Sequence, residues 1–278
     1  MSENEIKDFT FYTSEMEKGM KDKLFFLKFL DPKMSYNFLD YGCANGKTLE
    51  AISNCRKNDY DTFCGFDNLR VMVDLARSQW QGASKKAVFT NKWDERTKRE
   101  NTVLILSSVL HEIYSYLSKS EIEKFWKKIV FSSDAEYIVI RDMCWSSDMD
   151  RKINDEYDKD SLYDYQISSH FIPNFLKNSG VTKKQIDEFE DIWGSITNVK
   201  NFLHLLLKYR YVVNWDREVR ENYFSVLDME LYNRVLNSNY NVVYVERFQL
   251  PIIEKFTKLG FGTNIDDNTH IKIILKKK

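Results

Sequence analysis

The run Val103-Leu104-Ile105-Leu106 is apolar at every position. A strand with one face in water alternates apolar with polar side chains, whereas a strand lacking that alternation is covered on both faces. That coverage is typical of a parallel sheet with helices on either side. The surrounding segments keep the same rhythm. Residues 37–41, 61–66, 87–90 and 137–140 read as further strands. Between them lie helical stretches through Leu49, Ile52 and Ser53, and through Met72, Leu75 and Ala76, the second with Asn68 as its N-cap. A third begins at the capping box Ser118 to Glu121 and buries Ile122, Phe125, Trp126, Ile129 and Val130 along one stripe. Strand and helix alternating at this spacing predict βαβ units, hence an α/β fold with helices on both faces of the sheet.

The alternation stops after Arg141. Residues 145–238 carry helical patterns rich in aromatic and charged side chains. Strand character returns at 241–247, a short helix is expected over 251–259 before Gly260, and a last strand over 270–275. At the other end, Met16, Met20, Leu24 and Leu27 mark one face of a helix that Asp31-Pro32 stops. The expected organisation is an N-terminal helical cap over 1–35, an α/β domain formed by 36–144 and 239–278, and a helical insertion over 145–238.

Composition excludes several classes. With 43% apolar and 30% charged residues the chain can bury a sizeable core and is not disordered as a whole. No apolar run approaches the roughly 20 residues that span a bilayer, so no membrane partner is expected. The acidic start at residues 1–5 resembles neither a secretory nor a mitochondrial targeting segment. Cys43, Cys55, Cys64 and Cys144 form no C-x-x-C pair, which argues against a disulfide framework or a metal knuckle and makes a reducing cytoplasm the expected location. Forty-one basic against forty-two acidic residues give a net charge of −1, less basic than a dedicated nucleic-acid binder usually is.

The first strand runs into Asp40-Tyr41-Gly42-Cys43-Ala44-Asn45-Gly46-Lys47-Thr48. A phosphate-binding P-loop places four residues between its glycines, and here there are three. A dinucleotide fingerprint needs a middle glycine where Ala44 stands. A strand ending in an acidic residue, followed by a G-x-x-x-G turn and a helix start, resembles the first motif of the class I S-adenosylmethionine-dependent methyltransferases. The following strands extend the likeness. Asp67 stands at the end of the second strand, twenty-one residues after Gly46, and Trp93 and Asp94 follow the third.

The resemblance implies a Rossmann-like methyltransferase sheet and S-adenosylmethionine as cofactor. It implies that Asp40, Gly42, Cys43, Ala44 and Gly46 lie against the amino-acid part of that molecule and Asp67 against its ribose hydroxyls. Asn68 and Met72 would cover the adenine, Trp93 would stack on it, and Asp94 would accept from its exocyclic amine. Ser107, at the end of the fourth strand, would also touch the cofactor, and the segment after it would face the transferring methyl group, which puts His111, Glu112 and Tyr114 there, with Arg141 at the end of the fifth strand. A histidine of ordinary pKa suits proton abstraction from a hydroxyl. The N-P-P-[YF] signature of base-amino methylation is absent.

The insertion is expected to select the substrate. Lys200, His204 and Lys208 recur at every fourth position, and Arg210 and Arg217 follow, while Asp216, Glu218 and Glu221 dilute the positive field. Three functions stay open on these grounds: methylation of a small or medium-sized metabolite at oxygen or nitrogen; methylation of RNA, possibly tRNA, gripped by that basic stripe; or a catalytically silent cofactor-binding subunit. No metal site is expected.

Overall fold

The computed structural model describes residues 19–56, 58–82, 87–93, 100–152, 181–251, 253 and 265–278, without the side chains of 209 and 210. The strands are β1 (Asn37–Tyr41), β2 (Thr62–Phe66), β3 (Ala87–Thr90), β4 (Thr102–Ser107), β5 (Tyr137–Met143), β6 (Tyr240–Phe248) and β7 (His270–Lys277). They form one seven-stranded sheet in the order β3-β2-β1-β4-β5-β7-β6. The first five run parallel, and β7 lies antiparallel to both β5 and β6. β1 and β4 lie inside the sheet and are buried almost throughout, as the unbroken apolar run of β4 requires. Polar side chains tie the N-terminal ends of the central strands. Asn37 Nδ2 donates to Thr102 Oγ1 at 3.1 Å, and Thr62 Oγ1 donates to Asn37 Oδ1 at 2.8 Å.

Of the helices, α1 is a single turn (Met20–Lys23), α2 spans Lys47–Cys55, α3 Arg70–Gln79, α4 Leu110–Tyr116 and α5 Lys119–Phe125. The Ser118 capping box forms as the sequence predicts, and α5 continues as a π-helical turn over Trp126–Val130. One apolar cluster on α2, α3 and the adjoining strand faces includes Phe26, Phe38, Leu49 and Ile52; another, built around Leu104, Trp126 and Ile138, includes side chains of α4 and α5. Between β5 and β6 come α6 (Lys183–Trp193), α7 (Val199–Lys208), α8 (Trp215–Glu218) and α9 (Asp228–Leu236). α6, α7 and α8 share a further core centred on Phe189, Phe202, Leu206 and Phe224. No helix among the described residues is long and apolar enough to cross a membrane.

Two local expectations change. The stripe from Met20 to Leu27 is not one continuous helix: after α1 the chain tightens into a 3₁₀ segment over Phe25–Phe29. That segment is apolar nearly all round, and it buries Phe26 in the sheet core while Phe25 and Phe29 pack on Tyr244. Asn68 does not cap α3. The residue before the helix is Leu69, and the Leu69 N–H is instead bonded by Asp67 Oδ1 at 2.9 Å. Met16, the 251–259 helix (apart from Pro251 and Ile253) and Gly260 lie outside the described residues.

Candidate functional site

A cavity of about 360 Å³ opens at the C-terminal ends of the parallel strands, where ligands of open α/β sheets bind. One end of it is built by the turn after β1. Gly42 sits at φ +81° and a Cβ there would stand 2.8 Å from Val109 Cγ2; Gly46 sits at φ +77° and a Cβ would stand 2.8 Å from Phe89 Cε1. Both positions therefore need glycine, for the left-handed backbone and for the close approach. Asp67 locks this turn, because its Oδ2 accepts the Ala44 N–H at 2.9 Å while Oδ1 accepts from Leu69. Burial raises the Asp67 pKa, and those two backbone bonds oppose the rise. Tyr41, Gly42, Ala44, Asp67, Asn68 and Met72 all line this end of the cavity.

The other end is a compact network of charges. Asp142, fully buried at the end of β5, accepts with Oδ2 from the N–H groups of Val109 (2.7 Å) and Leu110 (2.6 Å) and so stabilises the start of α4. Its Oδ1 holds His111 Nδ1 at 2.6 Å. The other ring nitrogen, Nε2, lies 3.2 Å from Glu221 Oε1. Burial opposes a charge on this ring, but the two carboxylates outweigh it and push His111 up to about 10. The side chain is thus an imidazolium at neutral pH with both nitrogens engaged.

Arg217 lies among the carboxylates. Its Nη2 is 3.2 Å from Glu112 Oε1 and 3.1 Å from Glu221 Oε2, and its Nη1 bonds Glu218, which also accepts from the Tyr223 hydroxyl. Glu221 is itself buried, yet the His111 bond and Arg217 hold it down at about 2. Glu112 behaves in the opposite way: burial first, and Glu221 second, push it to about 8 against the pull of His111 and Arg217. A quarter of its side chain stays open to the cavity. Donor atoms of His111, Glu112 and Glu221 lie within 4.8 Å of one another, a set that suits a divalent cation by type, but Arg217 already bonds both carboxylates.

No protein-family model matches this chain, and no curated protein matches it. Solved structures do. The pyocyanin biosynthetic protein PhzM gives a TM-score of 0.51 at 10% identity, over 96% of this chain and 57% of that one. The plantazolicin methyltransferase BamL, in complex with a triazolic desmethylPZN analog and SAH, gives 0.48 at 13% identity, over 97% of this chain and 89% of that one. The small RNA methyltransferase HEN1 gives 0.47 at 11%, over the whole of this chain and 28% of that one. The likeness is one of fold, a Rossmann-like α/β sheet with helices on both faces.

Within that fold the residues singled out from sequence divide into groups. Gly42, Ala44, Asp67, Asn68, Met72, His111, Glu112 and Arg141 line the main cavity. Asp40, Cys43 and Ser107 line a narrow adjoining cleft, which Gly42 and Ala44 share. Gly46 stands behind the turn, preceding α2. Trp93 lies behind the cavity wall, its ring edge-on to Tyr41 and Phe66 at 5.1 and 5.5 Å. Asp94 lies outside the described residues.

Two expectations are corrected. Tyr114 does not line the cavity: its hydroxyl accepts from Trp126 Nε1 at 2.9 Å, in the core that α4 shares with α5. Arg141 lines the cavity while its Nε donates to Asp22 Oδ2 at 2.7 Å. The stripe on α7 faces inward. Lys208 is fully buried and donates to the backbone carbonyls of Glu218 and Glu221, while His204 Nε2 accepts the Tyr223 N–H at 3.1 Å. Lys200 packs 3.4 Å over the Trp145 ring and Arg217 is buried in the charge network, so His204, Lys208 and Arg217 present no surface to a phosphate backbone. The side chain of Arg210 lies outside the described residues. The stripe is scaffold: it carries the 218–223 segment that supplies Glu218, Glu221 and Tyr223 to the cavity.

Sequence reasoning also missed Glu218 and Glu221, read only as acids that dilute the positive field of the stripe. The signal was there in Arg217-Glu218-Val219-Arg220-Glu221, where Glu221 falls one helical turn after Arg217.

Proposed function

We propose that this protein transfers a methyl group from S-adenosylmethionine to oxygen or nitrogen of a small or medium-sized acceptor held beneath the inserted helices. One observation carries the reading. A single cavity runs from the Gly42 turn and Asp67 to Glu112, His111 and Glu221, and its far wall is made of Leu206, Leu207, Tyr211 and Tyr223 from the insertion. An acceptor there is enclosed, as a small molecule can be and a nucleic-acid duplex cannot. Burial of His204, Lys208 and Arg217 supports the same choice.

The residues present fit the cofactor. Each Asp67 oxygen accepts one backbone bond and keeps a lone pair for a ribose hydroxyl. Side chains at Gly42 and Gly46 would crowd the turn itself. When bound, S-adenosylmethionine supplies a methyl group on a cationic sulfur, open to in-line displacement. The chain contributes positioning and a proton acceptor. Glu112 suits the second role, since a carboxyl near 8 takes a proton from a hydroxyl or an ammonium far more readily than an ordinary glutamate does. His111, charged and bridged, acts as a positioning residue that holds Glu221 and the start of α4. Leu206, Leu207 and Tyr223 exclude water from the same space.

The test is transfer of label from methyl-labelled cofactor, with purified protein, to a small-metabolite extract and separately to cell RNA. Label in a small molecule is the expected result. Label in RNA overturns the acceptor class, and transfer to neither pool favours a silent cofactor-binding subunit.

A further inference from the structure

Near its C-terminal end β5 carries Arg141, only 7% exposed, which lines the main cavity together with Met143 and His270. Its guanidinium is held firmly at one edge. Nε donates to Asp22 Oδ2 of α1 at 2.7 Å, and Asp22 also meets Lys272 Nζ of β7 at 2.5 Å. At the other edge Nη1 makes a long bond, 3.4 Å, to Ser108 Oγ, and Nη2 donates to none of the described residues. A buried donor without an acceptor is costly. The edge that Nη1 and Nη2 share is therefore the unfilled part of this corner.

Ser108 belongs to the same corner. It is a non-glycine residue in left-handed backbone, at φ +56°, a conformation that a Cβ disfavours. In that conformation its N–H donates to the Arg141 carbonyl at 2.7 Å, and Ser108 itself lines the cavity. Two other cations of the cavity are saturated: His111 lies between Asp142 and Glu221, and Arg217 among Glu112, Glu218 and Glu221. Among the described residues Arg141 has Asp22 alone within ion-pair distance, and shares it with Lys272.

We propose that the Nη edge of Arg141 binds a carboxylate or phosphate carried by the methyl acceptor, apart from the oxygen or nitrogen that is methylated. The assignment rests on the methyltransferase reading above and narrows its acceptor to an acidic small molecule. Both acid groups present paired oxygens, which a guanidinium edge meets with two parallel bonds. Asp22 already fixes the side chain at Nε, so little freedom remains to be lost on binding. With its acid group at β5 and its nucleophile at Glu112 of α4, the acceptor is held at two points, which orients it for in-line displacement.

The probe is a small-metabolite extract with methyl-labelled S-adenosylmethionine; the labelled molecule is purified and read by tandem mass spectrometry. We expect it to contain a carboxylate or a phosphate monoester, which the spectrum tells apart. An acceptor with neither group overturns the assignment and leaves the methyltransferase reading standing, whereas no labelled small molecule at all overturns both. Kinetics then compare that acceptor with its neutral counterpart, the primary amide of the carboxylate or the dephosphorylated alcohol. In the unmodified protein, neutralising the acceptor should raise KM about tenfold or more. In Arg141→Gln the acidic acceptor should already show that rise, and its neutral counterpart should add less than about twofold. Arg141→Lys should fall between the two, since an ammonium keeps the charge without the paired geometry. An equal penalty for neutralisation in parent and variants overturns the assignment and leaves Arg141 as an anchor for Asp22. A thermal melt and S-adenosylhomocysteine affinity within about twofold of the parent show that a variant is folded; if Arg141→Gln is not, Arg141→Lys decides.

Discussion

Asp142 Oδ1 stands 2.6 Å from His111 Nδ1, while its Oδ2 accepts from the N–H of Val109, just before α4, and of Leu110, its first residue. One buried carboxylate thus caps the helix and charges the histidine that the helix carries. Asp142→Asn keeps the shape and removes the charge. Leaving a buried imidazolium with one partner should cost about 3–5 kcal/mol of stability, read from the urea midpoint. The His111 ring resonances should then titrate at a lower pH than in the parent protein. A variant as stable as its parent would show that the cap and the ion pair contribute little.

The pH dependence of this network has a definite sign. His111 is raised above its ordinary value, so the stability it contributes is complete below about 6.5 and is lost as pH rises toward about 10. Glu221 is depressed, so its contribution is complete above the ordinary glutamate range and is lost as pH falls toward about 2. The stability difference between the parent and His111→Gln should therefore be flat from pH 5 to 6.5 and shrink steadily above pH 7. Chemical unfolding at a series of pH values measures it, and a difference that grows above pH 7 would contradict the imidazolium.

The central strands were legible because the burial of β4 and of the start of β5 is written in unbroken apolar runs, and the Gly42 turn because positive φ and close approach leave only glycine. The charge network was not. Arg217, Glu218 and Glu221 sit in a polar-looking stretch, and nothing in its local pattern tells a solvated face from one folded over a cavity. Lys208 illustrates the problem: its period-four spacing with Lys200 and His204 is the same whether the stripe meets water or, as here, the carbonyls of Glu218 and Glu221. Tyr114 was misplaced for a related reason. Proximity in sequence to His111 does not say which neighbour the side chain reaches, and here it is Trp126 in the core beside α5.

Asp67 is positioned by backbone bonds from Ala44 and Leu69, so its removal would confuse loss of a ligand contact with collapse of the turn. Asp67→Asn retains an acceptor for one of those bonds and loses the charge. We expect S-adenosylhomocysteine affinity to fall by about 1.5–3 kcal/mol, with a melting temperature within a few degrees of the parent. Calorimetry showing equal affinity would remove Asp67 from the ribose contact.

The Gly42 turn makes a steric prediction of its own. Gly42→Ala meets both a left-handed φ and Val109 Cγ2 at 2.8 Å, and the two together should cost about 2–4 kcal/mol. The contact part is separable from the backbone part. In a Gly42→Ala, Val109→Ala double variant the clash is gone and the φ strain remains, so the double variant should recover part of the loss that the two single variants sum to. Strict additivity in urea unfolding would mean that Val109 does not limit this position.

Glu112 supplies the most direct reading of the proposed chemistry. Its carboxyl, lifted to about 8 by burial and by Glu221, is mostly protonated at pH 7 and must lose that proton before it can take one from an acceptor. Turnover should therefore rise between pH 7 and 9 with an apparent pKa near 8. Glu112→Gln should lower kcat by about 10²–10⁴-fold and flatten the profile, while affinity for S-adenosylhomocysteine stays close to that of the parent, since Glu112 takes no part in the bonds that hold Asp67 and the Gly42 turn. If Glu112→Gln keeps both the rate and the profile, the proton leaves by another route. A variant that loses cofactor affinity in parallel with rate would instead make Glu112 a structural partner of Arg217, whose Nη2 it holds at 3.2 Å.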